Sequence, residues 1–410
     1  MTALLSSFEL GDLLLPSRVV MAPLTRRRAG PGKLATPLMA THYGQRAGAA
    51  MIISESTEVD PLSAGEPPTR PGIFNSAQEA SWRLVTDAVH LRGGRIFMQL
   101  SHMGRTAHPS QRIGGAIPVA PSAIVADGKV FTPTGPQPYV LPRALETCEI
   151  PGTVAAFTEA ARRARAAGFD GIELHGANGY LIDQFLRDGS NRRQDGYGGS
   201  LDNRARFLIE AIEGAKAHWP ARRIGVRVSP TIPFQDMRDS APVAHFVRLA
   251  ELLNGFGLAY LHLIEGPVPA AGEPELRSHL RRAFRGPLMV AGGYTAATAE
   301  ETISAGGADL VAFGEAFIAN PDLPGRLRIN AALNPVDKST FYSGGARGYT
   351  DYPALADAPG LVPSLSKRWR LIAPASSTPS NRRTRLTHCT RISGTASISK
   401  KVPRDNGPIA

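Results

Sequence analysis

The chain has 410 residues, of which 42% are hydrophobic and 20% are charged. This composition supplies enough apolar surface for a sizeable core and excludes global disorder. Its two cysteines, Cys148 and Cys389, are too few and too far apart in sequence to form the disulfide framework of a small secreted domain. No apolar run reaches the length of a membrane span and no secretion signal is recognisable, so we expect a cytoplasmic protein.

The formal net charge of +11 at pH 7 is concentrated near the C-terminal end. Ten Lys and Arg residues and one acid, Asp405, follow Gly360, so that part carries +9 and the rest of the chain +2. The same part is rich in Ser, Thr and Pro and lacks hydrophobic periodicity, which predicts a basic tail of low order over 359–410. Because aromatic residues are nearly absent from it, we expect no specific nucleic-acid partner.

In chain order, residues 1–358 alternate eight short apolar runs with longer segments of helical periodicity. The apolar runs do not alternate strictly with polar residues, which is typical of parallel strands buried on both faces. The predicted strands are 18–22, 51–56, 95–101, 171–175, 224–229, 260–265, 287–292 and 309–314. The predicted helices are 36–47, 78–91, 151–167, 203–218, 242–254, 275–284, 296–305 and 321–332. Eight strand-then-helix units predict a single α/β domain, a (β/α)8 TIM barrel over 1–358.

A long excursion follows the third predicted strand. Residues 110–147 are rich in Pro and Gly and too irregular for a helix. Long loops on a barrel usually serve as lids over the active site, so we expect this segment to cover the carboxyl ends of the strands.

Polar and glycine residues follow the carboxyl ends of most predicted strands, where barrel enzymes carry their active sites. Five such ends converging on one mouth favour a functional site over packing and capping roles. The glycines after strands seven and eight can offer backbone N–H groups to a phosphate. The residues concerned are Thr25, Ser56, Gln99, His102, His175, Asn178, Tyr180, Arg227, Gly292, Gly293 and Gly314.

Several reaction classes can be weighed from this pattern. No lysine lies in a predicted strand, which disfavours a Schiff-base aldolase. No phosphate-binding loop or dinucleotide-binding glycine motif follows a strand. Carboxylates and histidines near the strand ends keep a metal-assisted lyase or isomerase as an alternative, although no closely spaced ligand motif occurs and no metal ligand is assigned. The other interpretation is a phosphate-bearing cofactor bound across the mouth.

Seven segments of the chain form a recognisable set of motifs. They are APLTR at 22–26, QLSHMGR at 99–105, AGFDGIELH at 167–175, GYGGSLDNR at 196–204, ANPDL at 319–323, FY at 341–342 and GYTDYP at 348–353. Together these segments resemble the Old Yellow Enzyme family of FMN-dependent ene-reductases. The resemblance runs in unbroken order over about residues 4–356. The resemblance is strongest to the branch that contains N-ethylmaleimide reductase and oxophytodienoate reductase.

The resemblance implies a bound FMN that receives hydride from NAD(P)H and delivers it to an activated alkene in a ping-pong cycle. It places eight residues beside the flavin: Pro23, Leu24, Thr25, Ser56, Gln99, His175, Arg227 and Tyr342. It places Gly292, Gly293 and Gly314 near the phosphate. Glu315 stands where the family generally has an arginine on that phosphate, so we expect its side chain to turn away and FMN to be held less tightly.

The resemblance also assigns the chemical roles. His175 and Asn178 are expected to donate to the substrate oxygen, and Tyr180 is expected to give the proton to the α-carbon. Expected substrates are small enones, quinones or nitro compounds, without a membrane partner. Purely structural roles are the alternatives for these residues: His175 as a core histidine, Asn178 as a helix cap, Tyr180 as a packing residue and Arg227 as a buried partner of Glu173 or Glu55. An FMN-binding protein with impaired turnover is the non-enzyme alternative.

Overall fold

The computed structural model describes residues 2–63, 70–132, 134–266 and 273–355. The predicted basic tail over 359–410 and the predicted domain boundary after residue 358 lie outside these residues. No helix in the described part of the chain is long and apolar enough to cross a membrane.

Eight parallel strands of the described chain close into a barrel, as predicted. Each strand pairs with the next in sequence, and the last pairs with the first through Ala312 and Val20, while the third pairs with the fourth through Gln99 and Glu173. Their residues are almost all buried, because helices cover the outer face and side chains fill the interior. The strands are β1 Val19–Met21, β2 Met51–Ile53, β3 Ile96–Ser101, β4 Gly171–Gly176, β5 Ile224–Val228, β6 Tyr260–Ile264, β7 Leu288–Ala291 and β8 Leu310–Phe313.

Ten α-helices lie within the described residues, and four of them begin at a side chain that caps the first turn. Thr36 accepts from the backbone N–H of Met39 at 3.3 Å, and Asn75 accepts from that of Gln78 at 2.9 Å. The helices are α1 Pro37–Gln45, α2 Ser76–His90, α3 Ile150–Ala166, α4 Leu181–Leu186, α5 Leu201–Lys216, α6 Pro242–Leu253, α7 Glu273–Ala283, α8 Ala296–Ser304, α9 Glu315–Ala319 and α10 Leu323–Arg328.

The predicted helix over 321–332 is wrong in its extent. Within this range the structure has the short helix α10, Leu323–Arg328, while α9, Glu315–Ala319, precedes the range and was not predicted. Asn320 has φ −129° and ψ 89°, outside the helical region, as expected for a residue that precedes a proline. Asn330 has φ +51°, so the second helix has ended before it. The helix therefore begins two residues later and ends four residues earlier than the sequence pattern predicted.

The two ends of the barrel interior differ in polarity. One end is filled by an apolar cluster that includes Val20, Met51, Phe97 and Tyr260, together with leucines of the N-terminal hairpin 8–15. The carboxyl ends of the strands carry polar side chains instead. The polar side chains that could act on a ligand therefore lie at the carboxyl end of the barrel, where TIM-barrel enzymes carry their active sites.

The excursion after β3 contains more regular structure than predicted. Lys129–Thr132 and Gly135–Pro138 form an antiparallel hairpin, and Val119–Ala120 pairs in parallel with Arg143–Ala144. Residues of the hairpin line the cavity described below, in agreement with the expected covering role.

Candidate active site

A cavity of about 700 Å³ opens at the carboxyl ends of the strands. It brings together ten of the residues that the sequence singled out for cofactor or substrate. These are Pro23, Leu24, Thr25, Ser56, Gln99, His175, Asn178, Tyr180, Arg227 and Tyr342. Gly292, Gly293, Gly314 and Glu315 are not part of this lining.

The wall that carries Thr25 is tied to the wall that carries Tyr342. Arg26 donates to the carbonyl oxygens of Phe341 and Gly348 at 3.0 and 2.7 Å. Arg28 donates to the carbonyl oxygen of Phe341 at 2.8 Å. Both arginines are buried, so these hydrogen bonds hold the loop after β1 against the segment around 341–348.

A buried polar row crosses the floor of the cavity. Gln99 donates from Nε2 to one oxygen of Glu173 at 2.7 Å, and Nδ1 of His262 lies 2.8 Å from the other oxygen. Burial opposes ionisation of Glu173, but His262, Arg227 and Gln99 outweigh it and hold the pKa of this carboxyl below its ordinary value. The amide nitrogen of Gln99 is therefore engaged, and its carbonyl oxygen is the atom left to accept from a ligand.

Arg227 and His175 lie side by side on β5 and β4, as register partners. The charge of Arg227 lowers the pKa of Glu173, which agrees with the alternative that Arg227 is a buried partner of this carboxylate. No hydrogen bond joins the two side chains among the described residues. Burial, together with the charges of Arg227 and Arg70, holds the pKa of His175 well below its ordinary value. His175 is therefore a neutral imidazole at pH 7, with a single N–H to donate.

The loop after β4 presents Asn178 and Tyr180 beside His175. Asn178 adopts φ +57°, a left-handed conformation that asparagine tolerates, and its backbone N–H donates to Ser229 Oγ at 2.8 Å. The next N–H, of Gly179, donates to the buried carboxylate of Asp183 at 2.8 Å. Tyr180 then precedes α4, and its ring centroid lies 4.9 Å from that of His175. The loop is thus fixed by hydrogen bonds that do not involve the predicted catalytic side chains.

Three buried polar atoms on this lining have no hydrogen-bond partner among the described residues: Ser56 Oγ, His175 Nδ1 and Arg227 Nε. A buried polar atom without a partner costs about 1–3 kcal/mol. A ligand with hydrogen-bonding groups along its edge would supply the missing partners. The heteroatom edge of a flavin has this character, so the residues present fit an FMN ring.

The expected phosphate end lies after β7 and β8. A Cβ added at Gly293 would meet no atom within 4 Å, so open space adjoins this backbone. Glu315 is the first residue of α9, and its carboxylate lies 3.3 Å from Lys338 Nζ with both side chains largely exposed. The glycine and glutamate positions in cofactor binding remain predictions.

Sequence reasoning did not single out five further residues whose side chains line the cavity. Arg27, Arg70, Met103, Phe131 and Tyr139 all contribute to the lining. Tyr139 and Phe131 belong to the excursion, whose irregular sequence gave no signal for which side chains face inwards. Arg70 lies between β2 and α2 in the chain and could have been singled out only as a cation close to Pro71 and Gly72.

Within the described residues, one group of three side chains has the spacing of metal ligands, namely Asp188, Asp239 and His245. None of the three lines the cavity. Nη2 of Arg204 lies 3.0 Å from Nδ1 of His245, so a cation already occupies one side of this group. The group gives no support to a metal-assisted reaction at the barrel mouth.

Comparison with protein families agrees with this geometry. The sequence model of the NADH:flavin oxidoreductase / NADH oxidase family, in which FMN is the flavin, matches residues 3–334. The chain belongs to this family, the Old Yellow Enzyme family. It is therefore an FMN-dependent oxidoreductase of the ene-reductase type, with NAD(P)H as the electron donor.

Individual relatives of this Old Yellow Enzyme family member cover most of the chain. 12-oxophytodienoate reductase 1 of Oryza sativa subsp. japonica is 40% identical over 361 residues, which span 86% of this chain and 93% of the relative. The structure of morphinone reductase in complex with tetrahydroNAD is 46% identical, with a TM-score of 0.82 and coverage of 87% and 98%. The Old Yellow Enzyme homologue of Zymomonas mobilis is 41% identical, with a TM-score of 0.82 and coverage of 86% and 99%.

Proposed function

We propose that this enzyme reduces the C=C bond of α,β-unsaturated carbonyl or nitro compounds, with His175 and Asn178 binding the substrate oxygen and Tyr180 donating the proton. The observation that carries the proposal is the placement of these three side chains on one cavity that also contains Gln99 and Arg227. FMN, when bound, supplies the hydride chemistry, since it accepts hydride from NAD(P)H and delivers hydride to the β-carbon of the alkene.

Gln99 and Arg227 would hold the flavin edge. The free carbonyl oxygen of Gln99 can accept from the imide N–H of the pyrimidine ring, and the Arg227 guanidinium places a permanent cation where reduction deposits negative charge. Thr25 and Ser56 add hydroxyl groups to the same lining. Pro23, Leu24 and Tyr342 supply apolar surface around them, with Tyr342 half exposed at the opening.

His175 and Asn178 would act on the substrate's carbonyl or nitro oxygen. Negative charge develops on this oxygen as hydride reaches the β-carbon, and two fixed donors stabilise it. Because the imidazole of His175 is neutral, it offers a hydrogen bond without offering a proton to compete with that of Tyr180. The proton of Tyr180 then goes to the α-carbon, which completes the reduced C–C bond and leaves a tyrosinate that regains a proton from solvent.

The test is anaerobic spectroscopy of the purified protein. We expect a yellow protein whose flavin absorbance bleaches on addition of NADPH or NADH and returns when 2-cyclohexenone or a nitroalkene is added, with formation of the saturated product. A protein that takes up no FMN but responds to a divalent metal would refute the proposal. So would flavin that binds but is not reduced by either nicotinamide.

A further inference from the structure

We propose that Arg70 is a positioning residue for the proton donor: it orients the hydroxyl group of Tyr180 towards the substrate and stabilises the tyrosinate that proton transfer leaves behind. This inference rests on the proposed function, in which Tyr180 donates the proton. Arg70 lies on none of the strands and in none of the segments on which the family resemblance is based.

The contacts of Arg70 are directional. Its Nη2 donates to Tyr180 Oη at 2.8 Å, and its Nη1 lies 2.8 Å from Met103 Sδ. The guanidinium carbon lies 5.3 Å from the centroid of the Tyr180 ring. Together these contacts hold the guanidinium of Arg70 against the phenol of Tyr180, and both residues line the cavity.

This arrangement determines where the hydroxyl hydrogen of Tyr180 can point. A guanidinium only donates hydrogen bonds, so Tyr180 Oη must accept from Arg70 and its own hydrogen must point elsewhere. With Arg70 on one side, the open cavity is the remaining direction. Arg70 cannot take the proton away, because a guanidinium is already fully protonated.

Arg70 carries a positive charge when Tyr180 loses its proton. Burial lowers the pKa of Arg70, but its interactions with Tyr180, Glu58 and Glu55 more than offset this, and its pKa lies above the ordinary value. Once Tyr180 has given up its proton, the phenolate oxygen faces a fixed cation at hydrogen-bond distance. Such a charge-assisted hydrogen bond is stronger in the product of proton transfer than before it, which is the condition for accelerating the step.

A purely structural role for Arg70 would be redundant. The backbone carbonyl of Tyr180 already accepts from Gln184 N at 2.8 Å, and the ring packs against His175. Gln184 Nε2 also donates to the carbonyl of Gly179 at 2.7 Å. The ring of Tyr180 is therefore held without Arg70, and what Arg70 adds is the direction of the hydroxyl group and the charge beside it.

The experiment separates the two half-reactions by anaerobic stopped-flow absorbance in Arg70→Met, Arg70→Gln and Arg70→Lys. Flavin reduction by NADPH should stay within twofold of wild type. Flavin reoxidation by 2-cyclohexenone should slow by about 10- to 100-fold in Arg70→Met, the range expected for loss of one hydrogen bond to a charged group. Arg70→Gln should recover little of this rate and Arg70→Lys more, because only lysine restores a cation.

A second readout responds to proton transfer alone. The solvent deuterium isotope effect on reoxidation by 2-cyclohexenone should rise in Arg70→Met, since the proton step becomes more limiting, and reoxidation by a quinone should not change. Flavin absorbance and thermal unfolding of each variant verify that the site is intact.

The deciding comparison is a double-mutant cycle with Tyr180→Phe. Once Tyr180 lacks its hydroxyl, adding Arg70→Met should change reoxidation by less than twofold. Equal slowing by Arg70→Met in both backgrounds would overturn the inference, as would a wild-type rate in Arg70→Met where Tyr180→Phe is slow. A wild-type rate in Tyr180→Phe itself would instead show that the proposed proton donor is wrong, and flavin that NADPH does not reduce would show that the proposed function is wrong.

Discussion

The buried ion pair between Arg187 and Asp183 gives the sharpest stability prediction. The two side chains are almost fully buried, and Nε of Arg187 lies 2.9 Å from Asp183 Oδ1. The other carboxylate oxygen of Asp183 accepts from Gly179 N, and Arg187 also donates to the carbonyl of Ser229. This pair therefore supports the turn that carries Asn178.

Replacing Arg187 by methionine keeps most of the apolar volume and removes the cation. Breaking a buried pair from one side costs about 3–5 kcal/mol, because it leaves an uncompensated buried charge. This is a large part of the ~5–15 kcal/mol that usually stabilises a folded protein. We expect Arg187→Met to lower the free energy of unfolding by this amount at pH 8, measured by urea denaturation.

The cost should depend on pH in a defined direction. Burial already raises the pKa of Asp183 above its ordinary value, even with Arg187 opposing it. Without Arg187 the pKa rises further, so the folded state binds this proton more tightly than the unfolded state does. Stability is then greatest below the unfolded-state pKa of aspartate, about 3.9, and is lost as pH rises from there towards the raised pKa, with a slope that approaches ~1.4 kcal/mol per pH unit.

The control is the double variant Asp183→Asn with Arg187→Met, which has neither charge. Its free energy of unfolding should not share the added pH dependence of the single variant. An Arg187→Met penalty that is the same at pH 5 and pH 8, or a double variant with the same slope as the single one, would refute the reasoning.

Three further predictions concern the site itself. Replacing both His175 and Asn178 by alanine should slow flavin reoxidation by enones at least about a hundredfold and leave reduction by NADPH largely intact, because both donors act on the substrate oxygen; equal loss in the two half-reactions, measured by stopped flow, would contradict this. Tyr180→Phe should lower alkene turnover by about 10²–10⁴-fold while sparing quinone reduction, which needs no proton on carbon; the test compares both substrates in steady state. Glu315→Arg should tighten FMN binding at least about tenfold by fluorescence titration, with Glu315→Gln separating loss of the carboxylate from gain of the cation; an unchanged affinity would place position 315 away from the phosphate.

The sequence was sufficient for the barrel because parallel strands buried on both faces produce apolar runs that are easy to recognise. The prediction was wrong in the extent of the helix expected over 321–332, which spans 323–328, and it missed the short helix α9 that precedes this range. At the site, residues that follow strand ends, such as Gln99 and His175, were predictable from the fold. Their chemical roles came from the family resemblance, because no spacing rule distinguishes an oxyanion donor from a packed histidine.

The sequence did not predict that Arg70 and Phe131 line the cavity, and the reason is physical. Arg70 lies outside the predicted strands and helices, and Phe131 lies on the hairpin strand Lys129–Thr132, which the sequence of the excursion did not indicate. No predicted periodicity therefore fixed the direction of either side chain. Only the folded chain shows that Arg70 contacts Tyr180 and that Phe131 lies in the cavity lining.

The hydrogen bonds from Arg26 and Arg28 to the segment around 341–348 determine when this wall of the cavity can form during synthesis of the chain. Arg26 and Gly348 are 322 positions apart, so nearly the whole described domain must leave the ribosome before this wall can form. Until then two arginines that are buried in the finished protein lack the carbonyl partners that this segment provides. Contacts of such long range close late, because the chain between their ends must first be ordered. A nascent chain shorter than about 350 residues is thus expected to lack this wall of the cavity, and FMN binding is expected only after Gly348 has left the ribosome.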